Sequence, residues 1–259
     1  MSSSLPCLRP SSMEKITSKD GTTIAFVTNG FGPAIVFVGG AFNDHTRLAP
    51  LAAALEKDHT VVTYDRRARG QSGDGPAYAI EREVEDLAAV IETAAGGHAA
   101  VFGFSSGAVL ALHASAGGLP IDQLFLYEAP FVRRPADLPV RMQKLVDEER
   151  PGDAVALFQA EGIGLPPEVI DRIRTSPMWP GLVGMAQSAV YDATIVTELA
   201  EPPAVTVPTL VMVGAEAIPV LKESATLIVG GDHVEVTGGV DHDIPVDETA
   251  RLIRTVKKP

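Results

Sequence analysis

The sequence predicts an α/β fold built on a mostly parallel central sheet, with a helical cap inserted after strand six. Apolar, strand-like bursts alternate with helical periods along most of the chain, which is the pattern of parallel β-α units. With 259 residues and a hydrophobic content of 46%, the chain is long enough for one well-buried core. The bursts are Ala34–Val38, Thr60–Tyr64, Ala99–Phe104, Gln123–Tyr127, Thr209–Val213 and His233–Thr237.

Two β-branched runs precede this alternation and predict an antiparallel start. Glu14–Ile16 and Thr22–Thr28 are separated by Asp20-Gly21, which is a hairpin turn signal. The strand count therefore begins with this hairpin, and the fourth burst is strand six. Between the second and third bursts, Ile80–Ala95 carries apolar residues on one face and acids largely elsewhere, which predicts a helix that covers the sheet.

The segment between Tyr127 and Thr209 is too long for an ordinary connection, and it predicts a helical cap over the carboxyl edge of the sheet. Pro and Gly residues divide it into helical stretches at Pro139–Glu149, Asp153–Glu161, Pro166–Thr175 and Leu182–Leu199. We therefore predict a cap at residues 133–201, an α/β core at residues 14–132 and 202–259, and a disordered leader at residues 1–13.

Composition narrows the class of partner. A formal net charge of −12 and a pI near 4.9 argue against a nucleic-acid or anionic-membrane surface, because both favour clustered Lys and Arg. The single cysteine, Cys7, excludes an intramolecular disulfide and a cysteine-based metal cluster. We expect a cytoplasmic protein with a neutral or weakly charged small-molecule ligand, no metal and no cofactor. The sequence leaves the oligomeric state open.

A candidate nucleophile lies between Ala99 and Leu110, where an apolar strand, a Gly-x-Ser-x-Gly sequence and an Ala- and Leu-rich helix follow one another. In such a strained turn, Gly103 and Gly107 let the strand and the helix approach closely while the hydroxyl of Ser105 stands exposed. The plainer interpretation is that Ser105 only caps the helix. The flanks and the place in the strand order favour the nucleophile.

The residue after the nucleophile, Ser106, presents its backbone N–H from a helix N-terminus, where it can stabilise an oxyanion. From about residue 14 to 256 the chain resembles the α/β-hydrolase family in strand order, elbow and late histidine. The resemblance implies a second oxyanion donor in the loop after the third strand, at the N–H of Ala41. Gly39-Gly40 replaces the family's common His-Gly pair there, and a plain glycine turn is the alternative.

A serine hydroxyl needs a nearby imidazole to accept its proton. His242 follows the last strand just before the final helix, and the resemblance places the family's base there. We therefore expect His242 to be the general base. The other histidines fall in a loop, near strand starts or within a helix, where histidines are ordinarily structural: His45, His59, His98, His113 and His233.

Two carboxylates are candidates for orienting the base. The family position, three residues beyond Gly214, is occupied by Ala217, so the sequence departs from the pattern. Glu216 lies one residue early and also fits a solvated loop. Glu128 ends the sixth strand before a proline, and some lactonases of resorcylic macrolactones, which this chain resembles, use a Glu there. We favour Glu128 over Glu216.

Three residues are predicted to bind substrate: Phe42 beside Ala41, and Trp179 and Met185 in the cap, where apolar and aromatic surface would set substrate size. The alternative for the cap residues is a place in the cap's own core. The arginines of Arg66–Arg69 are expected to pair with nearby acids and not to bind an anionic substrate.

Together these residues predict a serine hydrolase that cleaves a carboxylic ester or lactone through an acyl-enzyme. The carboxylate nucleophile that epoxide hydrolases and haloalkane dehalogenases of this fold need is absent at Ser105. Two alternatives stay open. One is a non-hydrolytic tailoring enzyme, such as a cyclase, perhydrolase or C–C hydrolase, and the other is a small-molecule receptor with an impaired triad.

Overall fold

A computed structural model describes residues 12–75 and 77–256 of the chain. Cys7 and most of the predicted leader, residues 1–13, lie outside the described residues. In the part that the structure describes, no helix has the length and apolar character needed to cross a bilayer.

Eight strands form one sheet: β1 (Glu14–Thr17), β2 (Thr23–Gly30), β3 (Ala34–Val38), β4 (Thr60–Tyr64), β5 (Ala99–Phe104), β6 (Ile121–Tyr127), β7 (Thr209–Ala217) and β8 (Asp232–Asp241). Their order across the sheet is β1-β2-β4-β3-β5-β6-β7-β8. β2 pairs antiparallel with β1 and with β4, whereas β3 to β8 pair in parallel. The predicted mostly parallel sheet is therefore confirmed.

The core helices are α1 (Ala49–Leu55), α2 (Ile80–Ala94), α3 (Ser106–Ala116), α9 (Pro219–Thr226) and α10 (Val246–Thr255), and the cap helices are α4 (Leu138–Asp147), α5 (Pro151–Leu157), α6 (Pro167–Arg174), α7 (Trp179–Gly184) and α8 (Ala186–Glu198). A π-helical segment, Phe158–Ile163, continues α5. The predicted helical insertion after strand six is confirmed, because α4 to α8 all lie between β6 and β7.

Helices cover both faces of the sheet. Successive side chains of a strand point to opposite faces, and β3 shows this well. Ile35 and Phe37 pack with α1 and α10 on one side, whereas Val36 and Val38 pack with α2 and α3 on the other. Parallel strands buried on both faces read as continuous apolar runs, which is why the sequence pattern located them.

The cap has a small apolar cluster of its own, formed by α4, α5, the π-helical segment and α8. Two predicted cap helices are each divided in the structure. The stretch Asp153–Glu161 is split between α5 and the π-helical segment, and the stretch Leu182–Leu199 is interrupted at Met185, between α7 and α8. Gly181 and Gly184 weaken α7 because glycine is a poor helix former.

The turn between β5 and α3 depends on glycines at its close contacts. A Cβ on Gly103 would lie 2.5 Å from the Cα of Ala108, and one on Gly107 would lie 2.6 Å from the carbonyl oxygen of Gly39 and closer still to that of Val38. These positions therefore have no room for a side chain, as the sequence pattern predicted.

We expect Gly107→Ala to lower the free energy of unfolding by about 1–3 kcal/mol, because the added methyl must displace backbone. Gly181→Ala is the matched control, since a Cβ there meets nothing within 4 Å. Its unfolding free energy should be unchanged or slightly raised. Urea denaturation of both variants measures the difference, and equal stability of the two would contradict the close approach.

Candidate active site

Ser105 occupies a strained turn between β5 and α3. Its φ of 54° and ψ of −126° lie where L-residues are rare, and its backbone N–H donates to the carbonyl oxygen of Tyr127 at 3.0 Å. The turn leaves the side chain of Ser105 half-buried, on the wall of a cavity. The structure thus presents this hydroxyl at the carboxyl edge of the sheet.

Glu128 follows β6 directly and is 1% exposed. It also has a positive φ, of 50°, which marks a second strained position at this edge. One carboxylate oxygen, Oε1, accepts the backbone N–H of Gly214 at 2.9 Å, and the other, Oε2, lies 2.5 Å from Nδ1 of His242. Both oxygens are therefore engaged, and the carboxylate is fixed in position.

His242 comes immediately after β8 and is held from two sides. Its Nδ1 faces Glu128, and its ring stacks on Phe104 with centroids 4.7 Å apart. With Nδ1 engaged, Nε2 is the nitrogen left to exchange a proton. Ser105 and His242 line the same cavity. No hydrogen bond joins their side chains among the described residues, and such contacts often tighten only when substrate binds.

The structure does not bring Glu216 to His242. Strand β7 continues past Gly214 to Ala217, and Glu216 pairs there with Val240 of β8. Its side chain is exposed and makes no hydrogen bond among the described residues. The position where the family pattern has an acid is thus part of a strand in this chain.

The other histidines have different surroundings. His45 contacts the buried Asp65 at 2.8 Å, and His98 contacts Asp122 at 2.6 Å on the surface. His233 bonds to the carbonyl oxygen of Ile228. Burial lowers the pKa of His113. None of these side chains lines the cavity that holds Ser105.

That cavity has a volume of about 560 Å³, within the range of small-molecule sites. It brings together most of the predicted site residues, namely Ala41, Phe42, Ser105, Ser106 and His242. The rest of its wall is largely apolar and includes Phe104, Pro130, Phe158, Ile163, Leu165, Val169, Val196, Ile218, Val220 and Leu221. Among the described residues, no group of His, Cys, Asp and Glu has the arrangement of a metal site.

Two predicted substrate-binding residues lie elsewhere. Trp179 and Met185 do not line the cavity. Trp179 packs against Gly152, and the guanidinium carbon of Arg174 lies 5.6 Å from the centroid of the Trp179 ring. Met185 is half-buried at the junction of α7 and α8. The physical reason is that α7 packs on α5 and α8, while the π-helical segment and α6 supply cavity residues.

Sequence reasoning missed the cap residues that do line the cavity. Phe158, Gly162 and Ile163 belong to the π-helical segment, and Val169 belongs to α6. A π-helical turn changes the phase of a helix, so the residues facing inward after it differ from those that a regular period predicts. Arg134 also lines the cavity, and no motif or pattern in the sequence indicates this position.

The loop after β3 packs directly against the elbow. A Cβ on Gly40 would lie 2.7 Å from the Cβ of Ser105, so this backbone passes within contact of the nucleophile candidate. Ala41 follows Gly40 on the cavity wall. Ser106 is the first residue of α3, and first-turn N–H groups lack a partner within their helix. The two predicted oxyanion donors therefore flank Ser105.

Comparison with known proteins agrees with this architecture. Residues 35–255 match the family described as the alpha/beta hydrolase family. A crystal structure of an alpha/beta hydrolase from Sphaerobacter thermophilus DSM 20745 superposes with a TM-score of 0.84 and is 41% identical, covering 93% of this chain and 98% of that one. The chain therefore belongs to the alpha/beta hydrolase family.

Two further proteins are similar over different extents. A thermophilic esterase from Thermogutta terrifontis has a TM-score of 0.70 at 23% identity, covering 94% of this chain and 97% of that one, which shows the fold alone. The 3-oxoadipate enol-lactonase 1 of Acinetobacter baylyi (strain ATCC 33305 / BD413 / ADP1) is 34% identical over 99 residues. That match spans 38% of this chain and 37% of the relative.

Proposed function

We propose that the protein is a serine hydrolase that cleaves a carboxylic ester or a lactone through an acyl-enzyme, with Ser105, His242 and Glu128 as its triad. The observation that carries this proposal is the 2.5 Å contact between Glu128 Oε2 and His242 Nδ1, next to a cavity that also holds Ser105. A buried carboxylate, an imidazole and a serine on the cavity wall, in this order, match the chemistry of a nucleophilic triad.

In the first half of the reaction, Ser105 Oγ attacks the carbonyl carbon while His242 Nε2 accepts its proton. The N–H groups of Ala41 and Ser106 hold the negative charge that develops on the carbonyl oxygen. Glu128 keeps His242 in the tautomer with a proton on Nδ1 and stabilises the imidazolium. When the intermediate collapses, the C–O bond to the alcohol breaks, and the imidazolium gives the proton to the leaving oxygen.

In the second half, His242 removes a proton from a water molecule, and the hydroxide attacks the acyl group on Ser105. The second intermediate collapses as the bond to Ser105 Oγ breaks, and His242 returns the proton to that oxygen. The carboxylic acid leaves and the enzyme is restored. For a lactone, the alcohol and the acid are parts of one molecule, so a single hydroxy acid is the product.

The substrate class and compartment rest on further observations. The mainly apolar cavity wall fits a small organic ester, and the similar proteins named above include an esterase and an enol-lactonase. The single cysteine supports the cytoplasm as the compartment. The proposed partner is therefore a small-molecule ester or lactone.

Ser105→Ala should abolish hydrolysis of p-nitrophenyl acetate and of a lactone panel, because it removes the attacking oxygen and nothing else. Far-ultraviolet circular dichroism should show an unchanged fold, since the residue lies on a cavity wall. Turnover above about a hundredth of the wild-type rate would contradict the nucleophile assignment.

Glu128→Gln should lower kcat by about two to four orders of magnitude with a smaller change in KM, because the amide no longer fixes the tautomer of His242. Glu216→Gln is the matched control, since it makes the same chemical change at an exposed position, and its kcat should stay near the wild-type value. A larger loss of kcat in the Glu216 variant would assign the triad carboxylate to Glu216 on β7. No loss in either variant would favour the non-hydrolytic or receptor alternatives.

Those alternatives predict different chemistry for the wild-type protein. A non-hydrolytic tailoring enzyme would convert its substrate without releasing a carboxylic acid, and a receptor would bind a small molecule without turning it over. Product analysis by chromatography and mass spectrometry separates these outcomes from hydrolysis. Release of an acid and an alcohol in equal amounts is the result that the proposed function predicts.

A further inference from the structure

A buried charge network lies beneath the proposed oxyanion hole, and its centre is Asp192 of the cap helix α8. This carboxylate is 0% exposed. Its Oδ1 accepts from Arg66 Nη1 at 2.8 Å and from the hydroxyl of Ser106 at 2.6 Å, and its Oδ2 accepts from Arg69 Nη2 at 2.7 Å. Burial alone would raise the pKa of Asp192, but Arg69 and Arg66 outweigh it and lower that pKa, so the group is a carboxylate.

The same two arginines hold the loop after β3. Arg69 Nη1 donates to the carbonyl oxygen of Gly40 at 2.5 Å, and Arg66 Nη1 donates to that of Gly39 at 3.1 Å. The carbonyl of Gly40 and the N–H of Ala41 belong to one peptide unit, and no cis peptide occurs in the described residues. In a planar trans peptide these two groups point in opposite directions. Holding the oxygen of Gly40 therefore fixes the direction of the Ala41 N–H.

Asp192 thus contacts Ser106 directly and reaches Ala41 through one intermediate, Arg69. Ser106 and Ala41 are the two residues to which the oxyanion donors are assigned. Preorganised donors are worth most when their direction does not change during the reaction. A single carboxylate from the cap, that of Asp192, is therefore placed to hold both N–H groups in a fixed orientation.

We propose that Asp192 is a positioning residue that aligns both N–H groups of the oxyanion hole, so that α8 of the cap takes part in the chemistry as well as in enclosing the substrate. This inference rests on the proposed function. Stability alone is a weak explanation for the network, because burying several charges costs desolvation energy that an apolar cluster of similar volume would avoid.

A second buried pair provides a control within the same protein. Arg67 donates to both oxygens of Asp86 at 2.8 Å, and both side chains are buried. Arg67 also bonds to Asp20 and to the carbonyl oxygen of Arg82, and neither Arg67 nor Asp86 contacts the loop after β3 among the described residues. Removing one negative charge there perturbs a similar ion pair without changing any contact to the loop after β3.

The experiment compares Asp192→Asn with Asp86→Asn, which are both isosteric losses of one buried charge. Asp192→Asn should lower kcat on a p-nitrophenyl ester by about a hundredfold with KM nearly unchanged. The inhibition constant of a trifluoromethyl ketone, which forms the oxyanion on binding, should rise by a similar factor. Asp86→Asn should keep kcat within about threefold of the wild-type value, whatever its effect on the melting temperature.

If Asp192→Asn does not fold, Ser106→Ala tests the same contact, because it removes the hydroxyl and keeps the backbone N–H. Ser106→Ala should lower kcat and raise the inhibition constant of the trifluoromethyl ketone without raising KM. Unchanged kcat in the Asp192 or Ser106 variant, or an equal loss of kcat in the Asp86 variant, overturns the positioning role. Failure of the proposed function looks different, since the wild-type protein would then turn over no ester.

A separate observation concerns Arg134, a cavity residue in the segment between β6 and α4. Its Nε donates to the carbonyl oxygen of Gly162, and its Nη1 donates to those of Val132 at 2.5 Å and Pro130 at 3.4 Å. Among the described residues Arg134 forms no ion pair, and its Nη2 has no hydrogen-bond partner. Burial lowers the pKa of Arg134 to about 10, so the guanidinium stays protonated at neutral pH.

The other charged residues of the wall do not neutralise Arg134. Arg47 is itself a cation and is paired with Asp243 at 2.7 Å. Asp241 is exposed and lies more than 4 Å from the nitrogens of Arg134, since no ion pair joins them. Guanidinium groups bind carboxylates through charge-assisted hydrogen bonds. An otherwise mainly apolar cavity with one unmatched guanidinium suits a ligand with one negative charge.

We infer that the preferred substrates are esters or lactones that carry a free carboxylate in addition to the ester bond that is cleaved, and that Arg134 binds this carboxylate. This inference also rests on the proposed function. It narrows the expectation of a neutral or weakly charged ligand to a monoanion.

The test uses two substrates that differ at one end, where mono-p-nitrophenyl adipate has a free carboxylate and its methyl ester has a neutral ester, and it follows the release of p-nitrophenol from both. The wild-type protein should favour the anion in kcat/KM by about ten- to a hundredfold. Arg134→Gln should abolish this preference. Arg133→Gln is the matched control, because Arg133 is the adjacent residue, 88% exposed and paired with Glu201, and it should keep the preference.

If Arg134→Gln does not fold, inhibition of the wild-type protein gives the answer without a variant. Glutarate should inhibit competitively, and it should bind about tenfold more tightly than glutaramate, in which an amide replaces one of the two carboxylates. Equal kcat/KM for the two adipate esters, or a preference that survives in Arg134→Gln, overturns the carboxylate site. Turnover of neither ester would instead count against the proposed function.

Discussion

One carboxylate joins three strands at the carboxyl edge of the sheet. Glu128, at the end of β6, accepts the N–H of Gly214 in β7 and contacts His242 after β8. The two residues of this contact are 114 positions apart in the chain. The proposed chemistry depends on it, because an imidazole on a surface loop would otherwise sample many orientations. Burial of Glu128 places its carboxylate in a medium of low dielectric constant, which strengthens the contact electrostatically.

The sequence allowed the sheet and the elbow to be predicted because both follow from local patterns. Strands buried on both faces are continuous apolar runs, and the elbow requires small residues at Gly103 and Gly107. Glu128 could be proposed because a carboxylate at the end of an apolar strand has few structural explanations. The structure then placed Glu128 beside His242 and left Glu216 on the exposed part of β7. The pairing of Arg66, Arg67 and Arg69 with acids was also expected and is observed.

The sequence was sufficient to predict that the cap consists of helices, but not which of its side chains line the cavity. Which of its side chains face the cavity depends on the π-helical segment Phe158–Ile163 and on the break at Met185, and neither has a reliable sequence signal. The sequence predicts Trp179 as a substrate contact because it is aromatic, whereas in the structure it packs within the cap. The contact of Asp192 with Ser106 joins residues 86 positions apart, so only the folded chain reveals it.

These features give the cap two different connections to the site. Its π-helical segment and α6 supply apolar cavity wall, which suits a role in substrate size. Its helix α8 contacts Ser106 through Asp192 and, by way of Arg69, the loop after β3. The burial of these charges is compensated because Arg66 and Arg69 both pair with Asp192 and also donate to the carbonyl oxygens of Gly39 and Gly40. A cap attached in this way is a structural part of the proposed catalytic apparatus.

The most direct test of the central claim is to identify the residue that a fluorophosphonate labels. The wild-type protein should bind one probe molecule per chain, and peptide mass spectrometry should locate it on Ser105, because only a serine activated by His242 reacts readily with this reagent. A protein that stays unlabelled after prolonged exposure, or that carries the probe on another residue, would contradict the account.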